Sequence, residues 1–196
     1  MGLSIYYNGK FSPKASLHDL IEEVKEIAMV HQWKHHIFEE TFPDPSFADK
    51  NYDDNIYGIC FSPPECEPVW FTFLSNGKMS NPVSLEIYGK LPTEKEKEFL
   101  TGNFTKTQFA GEEIHKMVCE IIRYISKKYF KNFKLTDEGG YWETKDEQLL
   151  HKNFENHTSL INNFSAAFST TPKLESETVE EYILRSAKTI QSKLKK

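Results

Sequence analysis

At 196 residues, with 38% hydrophobic, 14% aromatic and 27% charged side chains, the chain carries apolar material for one sizeable domain and too many aromatics for wholesale disorder. Its formal net charge of −5, with Arg123 and Arg185 the two arginines among mostly lysine cations, argues against nucleic-acid binding, which needs a concentrated basic face. No apolar run reaches the ~20 residues of a membrane span. The N-terminal stretch lacks both the regions of a secretory signal and the Ser or Thr of a myristoylation site, so the expectation is a cytoplasmic protein without membrane contact.

Leu3, Ile5 and Tyr7 alternate with Ser4 and Tyr6, which predicts a short strand closed by Asn8-Gly9. Ser16 is placed as the N-cap of a helix in which Leu17, Leu20, Ile21, Val24, Ile27 and Ala28 recur at helical spacing, up to about His31–Trp33. From His35 to Phe42 the period falls to two, so His36, Phe38, Glu40 and Phe42 are expected on one strand face, ended by Pro43-Asp44-Pro45. An acidic loop with Asp49, Asp53 and Asp54 follows. The stretch from Ile56 to Tyr88 then reads as a central antiparallel meander of three strands, Ile56–Phe61, Val69–Leu74 and Val83–Tyr88.

Thr93 and Glu96 form a capping-box pair for a short helix ending near Gly102, and a loop carries Asn103, Thr105 and Thr107. Ile114, Met117, Val118, Ile121, Ile122, Ile125 and Tyr129 mark the second long amphipathic helix. Phe133 and Leu135 belong to a strand running into Asp137-Glu138-Gly139-Gly140, with Tyr141–Thr144 as its hairpin return. Thr144 and Glu147 make another capping box, opening a helix through Leu150, Phe154, Ile161, Phe164 and Phe168 with a break expected around Asn153–Asn156. A linker at 169–172 precedes a last helix bearing Val179, Tyr182, Ile183, Ala187, Ile190 and Leu194. The order strand, helix, aromatic exit, acid-ended strand occurs twice, in Leu3–Phe42 and Val83–Glu138, a weak sign of duplication. The expected fold is α+β: an antiparallel sheet with two long helices packed on it and a helical C-terminal region. Residues 1–170 form a single domain in this reading, and 171–196 a helix appended to or packed on it.

Candidate chemistry is sparse. His31, His35 and His36 lie near Glu39 and Glu40, but zinc spacing holds for His31 and His35 only if the first helix runs on. The strand reading makes His36 and Glu40 a polar pair at a sheet edge, so no metal or cofactor is expected. The acidic loop lacks calcium-loop spacing. Asp137, Glu138, Tyr141, Trp142 and Glu143 form the most unusual string, two glycines and an aromatic pair between carboxylates. It reads either as a lip contacting a ligand or partner or as a hairpin turn with Trp142 packed on the core. Cys60 and Cys66 flank a proline-rich turn that a disulfide could close, with reduced thiols the simpler expectation; Cys119 is on the apolar side of its helix.

The reading that follows is a non-enzymatic binding or interaction protein of bacterial immunity, adaptor or regulatory type. Its partner would be a protein, and Tyr182, Ile183 and Ile190 offer a route to self-association. The alternative is a hydrolase or transferase, metal-dependent or not, built from His36, Glu40, Asp137, Glu138 and Glu143 if the two segments meet in space.

Overall fold

A computed structural model describes residues 3–44, 47, 52–90, 98–170 and 172–194. In chain order its elements are β1 (Ser4–Phe11), α1 (Leu17–Val30), β2 (Lys34–Ile37), β3 (Tyr57–Ser62), β4 (Val69–Phe73) and α2 (Pro82–Tyr88). After a 3₁₀ turn at Glu98–Leu100 come β5 (Asn103–Lys106), α3 (Gly111–Tyr129), β6 (Phe130–Asp137), α4 (Tyr141–Thr144), α5 (Glu147–Thr170) and α6 (Val179–Leu194). The strands form two antiparallel sheets, ordered β5-β1-β6 and β2-β3-β4. The protein is thus α+β, with no helix among the described residues long and apolar enough to cross a membrane.

The alternation in β1 sends Ile5, Tyr7 and Phe11 into one core with Phe61, Phe71 and Phe73 of β3 and β4. The apolar stripe of α1 (Leu17, Leu20, Ile21, Val24 and Ala28) and that of α3 (Val118, Cys119, Ile122 and Ile125) close over that core. Ser16 Oγ accepts the Asp19 amide at 3.1 Å, starting α1 where the spacing predicts. The sheets meet through polar contacts: Tyr7 OH accepts the Trp70 amide at 2.8 Å, and the Glu67 amide donates to Lys106 O at 3.1 Å.

Glu23 ties α1 to α3. Its carboxylate accepts from Lys128 Nζ at 2.8 Å, Tyr129 OH at 2.6 Å and Tyr124 OH. Burial opposes ionisation, but the lysine and the two hydroxyls outweigh it and hold this carboxyl below its ordinary range. A lowered folded pKa means the stabilisation is present above the unfolded value, about 4.3, and disappears as pH falls through the folded one. The stability advantage of the native chain over Glu23→Gln, read from urea titrations, should therefore shrink between about pH 6 and about pH 3. A gap that widens on acidification contradicts this.

Several sequence expectations change. Val83–Tyr88 is a helix, not the third meander strand. Asn81 Oδ1 accepts the Ser84 amide at 2.9 Å, and Pro82 occupies the first turn, where its missing N–H costs nothing. Only Leu85 of this helix is buried, and the meander is built instead from β2, β3 and β4. The strand predicted from His35 to Phe42 ends at Ile37, since Phe38 turns to a small core with Ile56 and Leu74 while Phe42 packs on the main one. Tyr141–Thr144 is one helical turn entered through Gly140 at φ 76°, not a hairpin return. Asp146, not Thr144, caps α5, accepting the Gln148 and Leu149 amides at 2.8 and 3.1 Å. Helix α5 continues through Asn153, whose amide donates to Gly139 O at 3.0 Å. Asn103–Lys106, expected as loop, is an edge strand on β1. The Thr93–Glu96 helix and Asp49 lie outside the described residues.

Helix α6 packs on α5. The Tyr182 ring is 5.4 Å from that of Phe168 and its hydroxyl donates to Phe168 O, while Arg185 bonds Glu177 through two nitrogens at 2.8 Å. Ile183 faces outward.

Candidate functional site

The end of β6 carries Asp137, and α3 runs back past it. His115 and Cys119, one turn apart on α3, are fully buried against Asp137, with both the His115 and Asp137 side chains 0% exposed. His115 Nε2 lies 3.1 Å from the Asp137 carboxylate, and its Nδ1 is 2.7 Å from Thr107 Oγ1 at the close of β5. Cys119 Sγ is 4.0 Å from Asp137 Oδ2. The carboxylate also accepts the Gly139 amide at 2.7 Å and the Trp142 amide at 3.0 Å. Phe154 of α5 meets the imidazole edge-on and seals the cluster. Burial alone would raise the Asp137 pKa; the His115 contact and the two amides reverse this and leave it lowered. Gly139 is required here, because a Cβ would stand 2.7 Å from His115 Nε2 and 2.8 Å from Leu150 Cδ1.

The other residues of the Asp137–Thr144 string are struts. Glu138 Oε2 accepts the Ser4 amide at 2.9 Å, and Glu143 Oε1 lies 3.4 Å from the Asp137 amide. Trp142 is held between Phe133 and the Arg123 guanidinium, which sits 4.2 Å above its ring and donates to its carbonyl at 2.8 Å. Tyr141 is half-buried against Leu3 and Leu150.

His36 lies elsewhere, on the exposed strand β2, where it lines a groove of about 590 Å³ with Glu39, Asp54, Glu86 and Lys90. That groove takes no residue from Asp137–Thr144, so the two segments do not share it. Glu40 is exposed in a bend beyond the strand, and His31 stacks on Trp33 at 4.6 Å.

Compared with family models, curated proteins and solved structures, the chain finds no match. An open apolar surface lies on the outer face of the β5-β1-β6 sheet. Tyr6 and Phe104 stand directly opposite on neighbouring strands, 46% and 50% exposed, with ring centroids 6.2 Å apart. Tyr88 and Phe99, in contact at 5.8 Å, face them across a groove of about 470 Å³ that Lys134 and Thr136 also line.

All three cysteines are free thiols, and no disulfide joins Cys60 to Cys66. Burial pushes the Cys60 thiol up to about 11 and that of Cys66 to about 12, and raises Cys119 further still. Native protein is expected to react slowly with a chromogenic disulfide reagent near neutral pH and to release its full complement of three thiols only on unfolding. A fast phase of one thiol per native chain would contradict this.

The sequence reading passed over His115 and Thr107. The signal available was the His115-x-x-x-Cys119 spacing, which places both side chains on the buried stripe of α3.

Proposed function

We propose that the protein is a non-enzymatic binding protein, of immunity, adaptor or regulatory kind, acting in the cytoplasm on a protein partner through the outer face of the β5-β1-β6 sheet. The observation that supports this is the half-exposed Tyr6–Phe104 pair with its facing wall of Tyr88 and Phe99. Rings held rigidly by a sheet lose little side-chain entropy on binding and supply most of the energy at interface centres.

The double variant Tyr6→Ala, Phe104→Ala tests it. Both rings point to solvent, so its urea midpoint should stay close to the parent's, while capture of the partner from cells falls by more than about tenfold, as hot-spot truncation predicts. Undiminished capture by the folded double variant would remove this surface from consideration. A second reading, a hydrolase or transferase, draws on the groove that gathers His36 with Glu39, Asp54 and Glu86. It requires a turnover that His36→Ala abolishes while leaving partner capture intact.

A further inference from the structure

We propose that His115, Cys119 and Asp137 form a structural site for a divalent zinc ion, closed inside the fold and independent of the binding surface. Their ligand atoms all lie within 4.8 Å of one another, at 3.1 Å from Nε2 to the carboxylate and 4.0 Å from Sγ to Oδ2. A tetrahedral zinc with bonds of about 2.0–2.3 Å requires its ligand atoms about 3.3–3.7 Å apart, which the two separations from the Asp137 carboxylate approach within a few tenths of an ångström. One nitrogen, one sulfur and one oxygen favour zinc over magnesium or calcium, which take oxygen almost alone. The three side chains supply three of the four positions of a zinc ion.

The outer contacts suit a metal. A histidine that binds through Nε2 must carry its hydrogen on Nδ1 and give it to an acceptor. Here Nδ1 faces Thr107 Oγ1 at 2.7 Å, and that hydroxyl has its own acceptor, Leu3 O, at 3.3 Å. With the hydroxyl hydrogen on Leu3 O and the ring hydrogen on Thr107, the Nε2 lone pair points at a carboxylate and a thiol. In that arrangement a bound cation satisfies all three, whereas without metal the Thr107 hydroxyl turns to Nδ1 and Nε2–H donates to Asp137. Zinc displaces the thiol proton, and the thiolate and carboxylate then neutralise its two charges around a neutral imidazole. The Asp137 oxygens are meanwhile fixed by the Gly139 and Trp142 amides, the kind of support that metal-binding carboxylates receive.

The test is elemental analysis of the full chain purified without chelator, together with its cobalt-substituted form. The expected result is one zinc per chain, and a near-ultraviolet thiolate-to-cobalt absorption that Cys119→Ser abolishes while weakening metal binding at least tenfold. Should Cys119→Ser fail to fold, X-ray absorption of the zinc form of the native chain decides, one sulfur at about 2.3 Å with nitrogen and oxygen at about 2.0 Å being required. Metal-free protein that acquires no such absorption with cobalt overturns the proposal. So does bound zinc without a sulfur ligand, or a cobalt spectrum unchanged in folded Cys119→Ser, which would move the ion to the exposed histidines of β2.

Discussion

Gly58→Ala is expected to cost about 3 kcal/mol or more, a large share of the stability of a domain this size. Gly58 lies in β3, the middle strand of its sheet, with φ 114°, and a Cβ there would stand 2.3 Å from the carbonyl oxygen of Phe71. That neighbour is backbone of the paired strand and cannot swing aside. Gly58 also holds the start of the loop before β3: its amide donates to Glu39 O at 3.0 Å and its carbonyl accepts the Phe38 amide at 2.9 Å. Shifting β3 to relieve the clash would break these as well. Gly111→Ala provides the control, because its φ is also positive, 84°, yet nothing lies within 4 Å of the added carbon. It should lose about 1 kcal/mol, the cost of the backbone conformation by itself. Urea titrations of both variants check this, and equal losses would show that strain, not the Phe71 contact, governs Gly58.

Asp137→Ala should be at least as severe, at about 3–5 kcal/mol. The carboxylate is the shared acceptor for the Gly139 and Trp142 amides and the partner of His115, all in a volume from which water is excluded. Removing it leaves buried polar groups unpaired and releases the end of β6 from α3 and α4 together. Asp137→Asn keeps the shape and one acceptor oxygen, so about 2 kcal/mol is expected. Denaturant midpoints measure both, and an Asp137→Ala loss under about 1 kcal/mol would mean that the cluster relaxes or hydrates. The loss in the alanine variant should be accompanied by faster exchange of the Gly139 and Trp142 amides, whose acceptor it removes.

Helices α1 and α3 were legible because each carries a wide apolar stripe and α1 a polar N-cap, signals local to the segment. Val83–Tyr88 misleads for a definable reason. In so short a stretch an alternating pattern cannot separate a half-buried strand from an exposed single-sided helix. The decisive cue was Asn81-Pro82, a cap followed by a first-turn proline. The Asp137 string was visible as unusual, but its role depends on which helix passes beneath it. The four-residue spacing of His115 and Cys119 looks like ordinary core until β6 delivers a carboxylate to it. Such meetings are set by packing across the sheet, and no local pattern records them. The same holds for Tyr6 and Phe104, whose facing positions follow from a strand register linking residues about a hundred apart.

Strand β1 lies between β5 and β6, so it is synthesised before both of its neighbours, at Asn103–Lys106 and Phe130–Asp137. At ordinary elongation rates, Leu3, Ile5, Tyr7 and Phe11 wait on the order of 10 s for β6 to be synthesised. The sheet of β2, β3 and β4 falls within Lys34–Phe73 and can close in that interval. The nascent protein thus passes through a period in which one of its two sheets can exist while the apolar strand β1 stays unpaired.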